Sequence, residues 1–373
     1  MNIYLSPPQL SKETQNYITE VLNNGWIAPN GPENKKLEAL LASYHELDSE
    51  QAISCSSGTA ALHLIYKSIP IEKNDVVFCP SLTFVATVNP IIQEGGIPWF
   101  VDSENKTGGM SVDLLEKAIQ DCLKKGMNPK AVVLVHLLGY SANSFRIAEV
   151  CKKYKLFLVE DAAASLGTKV NGEQISGKYA DASAFSFNGN KIITTSGGGL
   201  ILSKHKKMIE KSRYYRDQAK SDSPGYWHEK QGFNYALSNI SAAIGVGEMK
   251  EIDQKCKKKA SINTYYQKYL SAIKEITFFP YDENSEPNYW LTAVFLPHEK
   301  RNEVHHNLKE AGIESRYLWN PLHKMPFLNS YPKTLNGVSE KWAETGLCLP
   351  SGIGLTESEI EQICKKGFSS FPI

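Results

Sequence analysis

The sequence predicts an α/β protein in which a mostly parallel central sheet forms a large domain and a smaller C-terminal domain follows. From about residue 51 to residue 203, short apolar runs alternate with longer segments of helical periodicity. Several of the short runs are apolar on both faces, as in the strands of a parallel sheet that helices cover on each side. The length of 373 residues is also sufficient for two domains of ordinary size.

The individual elements follow from this alternation. Most of the short runs are rich in β-branched and aromatic residues, and they predict strands at 51–55, 76–79, 97–101, 131–137, 156–160, 182–187 and 199–203. The periodic segments between them predict helices at 60–68, 83–93, 112–125 and 144–154. The repeated strand–helix–strand order places helices on both faces of the sheet.

The composition changes after Asn239. Residues 240–278 have the pattern of one long helix with a lysine-rich middle, and the remainder mixes short strands and helices. We therefore predict a large domain at 1–250 and a smaller domain at 251–373, which the long helix connects.

The charge balance argues against partners that carry many negative charges. Lysine and arginine number 41 and aspartate and glutamate 40, so the chain has no overall attraction to nucleic acid or to an anionic membrane. We interpret the lysine-rich run at 255–260 as a solvated helix face. No apolar run reaches the ~18 residues that a membrane span needs, and the first residues lack the pattern of a signal peptide.

The seven cysteines are scattered and form no Cys-x-x-Cys pair. Their odd number argues against a disulfide framework, and their spacing argues against a zinc site. The sequence therefore predicts reduced thiols, no metal and a cytoplasmic location.

A first candidate site follows the strand at 51–55, where Ser57, Gly58 and Thr59 precede a predicted helix. Free N–H groups at a helix N-terminus, together with hydroxyl groups, form a binding site for an anion. Simple N-capping by Ser57 or Thr59 would explain the same residues, so this segment alone leaves both interpretations open.

A second candidate site is the acidic pair Glu160 and Asp161, which directly follows an apolar strand. The carboxyl ends of parallel strands form the ligand crevice of an open α/β sheet. An acid buried there needs a positive partner. An aspartate that caps the next helix is the alternative.

A third candidate is Lys191, in a polar turn that ends in the run Gly197–Gly199. A lysine in such a turn is either an exposed charge or a reactive amine. The aromatic strand before it and the three glycines favour a loop that packs closely against other backbone. A fourth is Asn234, a ligand or an ordinary turn residue before the long helix.

Together these segments supply the groups that pyridoxal phosphate (PLP) requires. Its phosphate binds N–H and hydroxyl groups, its ring nitrogen binds a carboxylate that keeps it protonated, and its aldehyde forms a Schiff base with a lysine. An aromatic residue such as Phe84 can stack on its ring. The sequence therefore predicts PLP as the cofactor.

The same residues carry a resemblance to a known family. The chain resembles the sugar-nucleotide aminotransferases of the DegT/DnrJ/EryC1/StrS type, which are fold-type I PLP enzymes. The resemblance covers nearly the whole chain and is carried by GWIAPNGP at 25–32, SSGTAALHL at 56–64, PSLTFVAT at 80–87, VEDAAASLG at 159–167, FSFNGNKIITTSGGG at 185–199, GFNYALSN at 232–239, ESRYLWNPLHKMP at 314–326 and CLPSG at 348–352.

Within the family, the chain is similar to the C4 aminotransferases that act on UDP-4-keto-6-deoxy-N-acetylglucosamine on the route to bacillosamine. The segments that suggest this are LSPP at 5–8, the unbroken NGNKIITTSGGG, and DQA at 217–219 followed by YWH at 226–228. The resemblance implies a ping-pong transfer of the amino group of L-glutamate to the C4 keto group of a UDP-linked keto sugar.

The resemblance also implies roles for single residues. It makes Lys191 the catalytic Schiff-base lysine, pairs Asp161 with the pyridinium nitrogen and stacks Phe84 on the ring. The implied contacts of the cofactor phosphate are Gly58, Thr59, Ser186 and Asn234. Because Asn234 would reach the cofactor of the neighbouring subunit, a homodimer with shared active sites is expected. The residues expected to bind substrate are Trp26, Ile27, Arg316, Trp319 and His323.

Two positions depart from the family pattern. Ala236 stands where an arginine usually follows the Asn-Tyr pair, and Ala164 stands where many relatives have Gln, Glu or His. The contacts of those side chains are therefore absent or come from elsewhere.

Other functions remain open within and outside the enzyme class. A GDP-perosamine synthase or a C3 sugar aminotransferase shares the same frame, and a non-catalytic PLP- or sugar-binding regulatory homologue would keep the fold. A dehydrating branch of the family carries histidine in place of the lysine, and Lys191 argues against it.

Overall fold

The computed structural model describes residues 2–371. Its helices are α1 (Lys12–Asn23), α2 (Pro32–Tyr44), α3 (Gly58–Ser68), α4 (Asn89–Gln93), α5 (Val112–Lys124), α6 (Ser144–Tyr154), α7 (Lys206–Arg216), α8 (Asn239–Met249), α9 (Ile252–Leu270), α10 (His298–Glu310), α11 (Val338–Thr345) and α12 (Glu357–Gly367). Its strands are β1 (Ala52–Cys55), β2 (Asp75–Pro80), β3 (Ile97–Val101), β4 (Asn128–Val135), β5 (Phe157–Asp161), β6 (Lys169–Val170), β7 (Glu173–Gln174), β8 (Ala182–Ser186), β9 (Gly199–Ser203), β10 (Thr277–Phe278), β11 (Ser285–Glu286), β12 (Thr292–Phe295), β13 (Arg316–Tyr317), β14 (Lys333–Thr334) and β15 (Gly346–Leu349).

An eight-stranded sheet in the order β1-β9-β8-β5-β4-β2-β3-β14 forms the centre of the molecule. All neighbouring strands from β8 to β14 are parallel. Only β9 within this sheet runs antiparallel to its neighbours, β1 and β8. The predicted α/β class with a mostly parallel central sheet is therefore confirmed.

Alternating residues of the central strands pack against helices on the two faces, because successive side chains of a strand point to opposite sides. Val77, Val133 and Val159 belong to one buried cluster with α3. Val132 and Leu134 belong to another with α5 and α6. This double cover explains why the strands are apolar on both faces, which was the signal that predicted them.

A second, antiparallel sheet in the order β10-β12-β15-β13 lies in the C-terminal part of the chain. Its inner side packs on α9, α10 and α12 through one buried cluster. The C-terminal part also sends β14 back to the central sheet, where Lys333 and Thr334 pair with Phe100 and Val101. The predicted domain boundary at residue 250 stays a prediction.

The seven predicted strands occur as β1 to β5, β8 and β9, with small shifts of their ends. Two predicted helices are wrong. The segment 83–93 is a short 3-10 turn at Val85–Thr87 followed by α4, because Pro90 has no N–H group for a continuous helix. The segment 240–278 is two helices separated at 250–251, and it ends in β10.

The break between α8 and α9 redirects the chain from one core to another. Val246, before the break, packs in a cluster of the large sheet region, and Ile252 just after it still belongs to that cluster. Ile262 and Tyr266, further along α9, pack in the cluster of the second sheet. A single straight helix would not serve both cores.

Candidate active site

A cavity of about 380 Å³ opens at the carboxyl ends of the central strands. Its wall includes the first residues of α3, the ends of β4, β5 and β8, and residues of β13 from the second sheet. The predicted site residues that line it are Gly58, Thr59, Phe84, Asp161, Ser186, Lys191, Arg316 and Trp319. Residues that are far apart in the sequence thus meet at the edge where parallel strands end.

The N-terminus of α3 forms the anion-binding side of the cavity. The Ser57 hydroxyl accepts a hydrogen bond from the N–H of Ala60 at 3.0 Å, and the Ser57 carbonyl accepts one from Ala61. Within residues 2–371, the N–H groups of Gly58 and Thr59 have no such partner. Ser57 therefore caps the helix while the next two residues remain for an anion, so the two sequence interpretations are compatible.

Two glycines allow the start of α3 to approach the sheet. A Cβ atom on Gly58 would lie 2.7 Å from the Cβ of Ser186, and one on Gly199 would lie 2.4 Å from the carbonyl of Ser57. Neither distance is possible for a real side chain. The glycines therefore bring Ser186 and the helix terminus together around one small volume.

Asp161 ends β5, and its carboxylate is 94% buried at the wall of the cavity. The hydroxyl of Thr87 donates to Oδ2 at 2.7 Å, and the N–H of Ala163 donates to Oδ1 at 3.2 Å. Burial raises the pKa of Asp161, although both hydrogen bonds favour the charged form. A cation bound in the cavity would offset this effect, which is what a protonated ring nitrogen provides.

Lys191 places its amine in the same cavity, where Nζ lies 3.8 Å from the ring centroid of Trp290. Burial lowers the pKa of Lys191 to about 8, against the opposing charge of Asp161. On the order of a tenth of this amine is therefore neutral at pH 7, far more than for an ordinary lysine, and a nucleophile or a proton acceptor must be neutral.

The second acid, Glu160, points away from the cavity and is fully buried. Burial would raise the pKa of Glu160, but hydrogen bonds from His136 and Ser183 outweigh it, and the pKa lies below its usual value. His136 accepts from the N–H of Ala142 at Nδ1, so its proton is on Nε2, towards Glu160. This pair holds the ends of β4 and β5 together.

Three predicted residues are exposed and lie outside the cavity wall. Asn234 is exposed on a segment whose backbone bridges Asp217. Trp26 and Ile27 are 54% and 57% exposed on the loop between α1 and α2. Within one subunit, therefore, these residues are not part of the cavity wall.

His323, which the resemblance expects to bind substrate, is 95% buried and does not line the cavity. Ser81 lies 2.5 Å from Nδ1 and Glu340 lies 3.1 Å from Nε2, so both ring nitrogens have partners. His323 fastens its turn to the end of β2.

Sequence reasoning missed three residues of the site, Trp290, Thr87 and His136. His136 lies at the carboxyl end of the predicted strand 131–137, a position comparable to the one that selected Asp161. Thr87 and Trp290 have no comparable local signal. Of the two departures from the family pattern, Ala164 lines the cavity and Ala236 does not.

The combined geometry fits PLP. An anion cradle, a buried carboxylate and a partly neutral amine share one cavity. Gly58, Thr59 and Ser186 would hold the phosphate, Asp161 the ring nitrogen, and Lys191 the aldehyde carbon.

Comparison with known proteins agrees with this site. The model of the DegT/DnrJ/EryC1/StrS aminotransferase family matches residues 8–367. EpsN of Bacillus subtilis (strain 168) is 41% identical over 96% of this chain and 92% of its own. The GDP-perosamine synthase of Escherichia coli O157:H7 is 32% identical over 96% and 95%. The crystal structure of the aminotransferase TlmJ from Streptoalloteichus hindustanus superposes with a TM-score of 0.91, 26% identity and 99% coverage of both chains.

The chain belongs to the DegT/DnrJ/EryC1/StrS aminotransferase family. It is a PLP-dependent sugar-nucleotide aminotransferase of fold type I, so the predicted fold, enzyme class and cofactor are confirmed. No helix within residues 2–371 has the length and apolarity that crossing a membrane requires.

Proposed function

We propose that the protein transfers the amino group of L-glutamate to the C4 keto group of UDP-4-keto-6-deoxy-N-acetylglucosamine by a ping-pong mechanism. The observation that carries the proposal is the single cavity in which Lys191 and Asp161 face the anion cradle, with Arg316 and Trp319 on the wall from the second sheet. The choice of sugar rests on the segments at 5–8, 188–199 and 217–228.

Each catalytic residue has a task in both half-reactions. Bound PLP supplies an electron sink and carries the amino group between the two substrates. Lys191 Nζ takes the α-proton of glutamate and later delivers a proton to C4 of the sugar. Asp161 stabilises positive charge at the ring nitrogen. Gly58, Thr59 and Ser186 hold the phosphate in place while the substrates exchange.

The sugar nucleotide is bound from the opposite wall. Arg316 keeps a 2.7 Å ion pair with Glu314 but is 61% exposed at its side chain, so its guanidinium can also contact a diphosphate. Trp319 offers a flat apolar face beside it. These groups recognise the nucleotide and leave the reacting carbon to Lys191.

Product analysis by NMR tests this function. The enzyme is given L-glutamate with either UDP-4-keto-6-deoxy-N-acetylglucosamine or the corresponding GDP-linked 4-keto-6-deoxy sugar, and Lys191→Ala serves as the inactive control. We expect a C4 amine on the UDP sugar. Preferred turnover of the GDP sugar would make the protein a GDP-perosamine synthase, in line with its similarity to such enzymes.

An amine at C3 of the product sugar would instead make the protein a C3 sugar aminotransferase. An absence of any product, together with failure of glutamate to convert the bound cofactor to its amine form, would support the non-catalytic homologue. A Lys191→Ala variant with substantial transamination would exclude Lys191 as the catalytic lysine.

We further propose a homodimer in which Asn234 completes the phosphate site of the neighbouring subunit. Asn234 is exposed, and large apolar side chains are exposed on connected segments, at Trp26, Ile27, Tyr226 and Trp227. Backbone bridges join Pro29 to Ser238, Asp217 to Asn234 and Lys220 to His228. Exposed apolar surface of this kind is typical of an interface.

Subunit complementation tests the shared site. We expect the Lys191→Ala chain to be inactive and the Asn234→Ala chain to be weakly active, but a heterodimer contains one site with both native residues. Random mixing should restore about a quarter of wild-type sites, since half of the dimers are mixed. A mixture of Lys191→Ala with Asp161→Asn is the matched control, because both residues belong to one subunit and no site is restored. An active monomer in light scattering would contradict the proposal.

A cytoplasmic location is proposed from the thiols. All seven cysteines are free, and six of them are buried. Burial raises the pKa of Cys151 to about 12, so this thiol is unreactive. Fractionation of cells that produce the protein would check the location.

A further inference from the structure

A buried tryptophan covers the amine that the reaction uses. Trp290 is 96% buried, lines the cavity, and its ring centroid lies 3.8 Å from Lys191 Nζ. An aromatic face at this distance attracts the protonated amine and stays in contact with Nζ when the proton leaves, so it fixes the position of the nitrogen in both forms. The reaction described above gives this indole no task.

The indole is tied to the backbone beside Lys191. Its Nε1–H donates to the carbonyl oxygen of Asn190 at 2.5 Å, and the hydroxyl of Ser6 donates to the same oxygen at 3.2 Å. Asn190 directly precedes Lys191 in the chain. One carbonyl oxygen therefore connects the backbone of the reactive lysine to the indole and to the N-terminal segment.

A second buried lysine holds this assembly together. Lys259 on α9 is 98% buried, and its Nζ donates to the carbonyl of Trp290 at 2.9 Å and to the hydroxyl of Ser6 at 3.1 Å. Within residues 2–371 it forms no ion pair, whereas Lys255, one turn earlier, pairs with Glu248. Burial lowers the pKa of Lys259 to about 7. A buried lysine without a carboxylate is costly, and its two hydrogen bonds fix the Trp290 carbonyl and the Ser6 hydroxyl relative to α9.

We propose that Trp290 is a further catalytic residue, which holds the Lys191 amine in its reactive position. Lys259 and Ser6 are positioning residues, which act through the indole and through the carbonyl oxygen of Asn190. This inference rests on the role proposed for Lys191. Displacement of a reacting group by as little as ~1 Å can cost about a hundredfold in rate. We call the contacts among Trp290, Lys259, Ser6 and the Asn190 carbonyl the brace, and its loss should slow the reactions of the Lys191 amine.

Covalent capture of PLP by the cofactor-free protein isolates this effect. The nitrogen of Lys191 forms a double bond to the aldehyde carbon, and the aldehyde oxygen leaves as water with the two amine protons. No further reactant is needed. Pyridoxamine phosphate has no aldehyde, so its affinity reports the rest of the site without Lys191.

The experiment compares Lys259→Met and Ser6→Ala with wild type, by stopped-flow absorbance for PLP capture and by calorimetry for pyridoxamine phosphate. Neither residue lines the cavity. We expect capture to slow by about tenfold or more, while the affinity for pyridoxamine phosphate changes by less than about twofold. Trp290→Phe should slow capture less than Trp290→Leu, because phenylalanine keeps an aromatic face.

A matched control removes the other buried lysine of α9. Lys255→Met combined with Glu248→Gln leaves no unpaired buried charge and should capture PLP at the wild-type rate. If Lys259→Met does not fold, Ser6→Ala carries the test, since it deletes a single hydroxyl group. Unchanged capture in Ser6→Ala and Lys259→Met, or equal losses in capture and in pyridoxamine phosphate affinity, would overturn the brace.

Borohydride reduction of the PLP-loaded wild-type protein, followed by peptide mapping, identifies the lysine that captures PLP. Reduced cofactor attached to Lys191 supports the proposed role of that lysine. The capture rates of the variants then test the brace by itself. Label on another lysine would overturn the role of Lys191 and the brace with it.

Discussion

The surroundings of Asp161 affect its charge in two opposing ways. Burial raises the pKa of Asp161, which favours the neutral acid. The Thr87 hydroxyl, at 2.7 Å, and the Ala163 N–H, at 3.2 Å, favour the anion. A cation bound beside Asp161 would favour the anion further. We therefore expect Asp161 to be a partner of the cofactor rather than a helix cap.

Asp161→Asn should preserve the shape of the site and remove this charge. We expect transamination to fall by on the order of 10²–10³-fold, because an electrostatic group at the reacting centre is lost. Rates of both half-reactions measure it. Thr87→Val, which removes only the hydrogen bond to the carboxylate, should cause a smaller loss. A near wild-type rate in Asp161→Asn would place the residue outside the catalytic site.

The Arg316→Ala substitution should raise the KM for the keto sugar and leave that for glutamate nearly unchanged. Its ion pair with Glu314 is largely exposed, so its loss has little effect on folding. We expect the KM for the keto sugar to rise by about tenfold, the value of one charge-assisted contact to a phosphate, with little change for glutamate. Lys324→Ala, an exposed lysine outside the cavity, is the control. Equal damage to both half-reactions would instead make Arg316 a structural residue or a ligand of the cofactor or of glutamate.

Helix α3 connects local sequence to cofactor binding. The apolar strand before it and the Ser-Gly-Thr turn were sufficient to predict the helix, but they left an anion site and simple N-capping both open. The close contact with β8 was not predictable, because it depends on Ser186, far along the chain. The glycine at position 58 is a requirement of that contact.

Gly58→Ala should therefore weaken cofactor binding even though alanine favours a helix by about 1 kcal/mol over glycine. Its Cβ would lie 2.7 Å from the Cβ of Ser186 and would push α3 away from the sheet. We expect the dissociation constant of pyridoxamine phosphate to rise by about tenfold, from the loss of one helix-terminal contact. Gly189→Ala, whose new Cβ would have room, serves as the control. Equal affinities in both variants would contradict the cradle.

Helices and strands were predictable from the sequence where residues within the segment itself determine the structure. Strands such as 97–101 and 199–203 were located without error, because burial on both faces leaves a continuous apolar run. The helix expected at 83–93 failed at Pro90, and the helix at 240–278 failed where the chain passes between two cores. The contact of Trp290 with Lys191 unites distant segments, so no local pattern could predict it.

Stability of the whole cofactor-free molecule should depend on pH through its buried lysines. Burial lowers the pKa of Lys259 to about 7 in the folded protein, whereas a lysine in the unfolded chain has a pKa of about 10.4. Between these values the unfolded chain binds more protons, so the free energy of unfolding rises with pH. Lys191 contributes in the same direction from about pH 8.

The Lys259→Met substitution should remove the contribution of Lys259 to the rise of the unfolding free energy with pH. The stability of wild type relative to the variant should grow from about pH 7 to pH 10, by at most about 1.4 kcal/mol per pH unit for one group. Urea unfolding of both proteins across this range measures the difference. Lys258→Met, an exposed position on the same helix, should run parallel to wild type. Parallel profiles for Lys259→Met would mean that Lys259 does not change its protonation on folding.

The two-residue strand β14 also bears on aggregation. It covers the outer edge of β3, where the N–H of Phe100 donates to Pro332 at 2.9 Å and that of Asp102 donates to Thr334 at 3.0 Å. Without it, the apolar strand Ile97–Val101 would present unpaired backbone groups, which is a template for pairing with another chain. Because β14 lies far towards the C-terminus, a newly made chain carries this open edge until its last segments dock. The C-terminal part thus protects the polypeptide from self-association as well as completing the cavity.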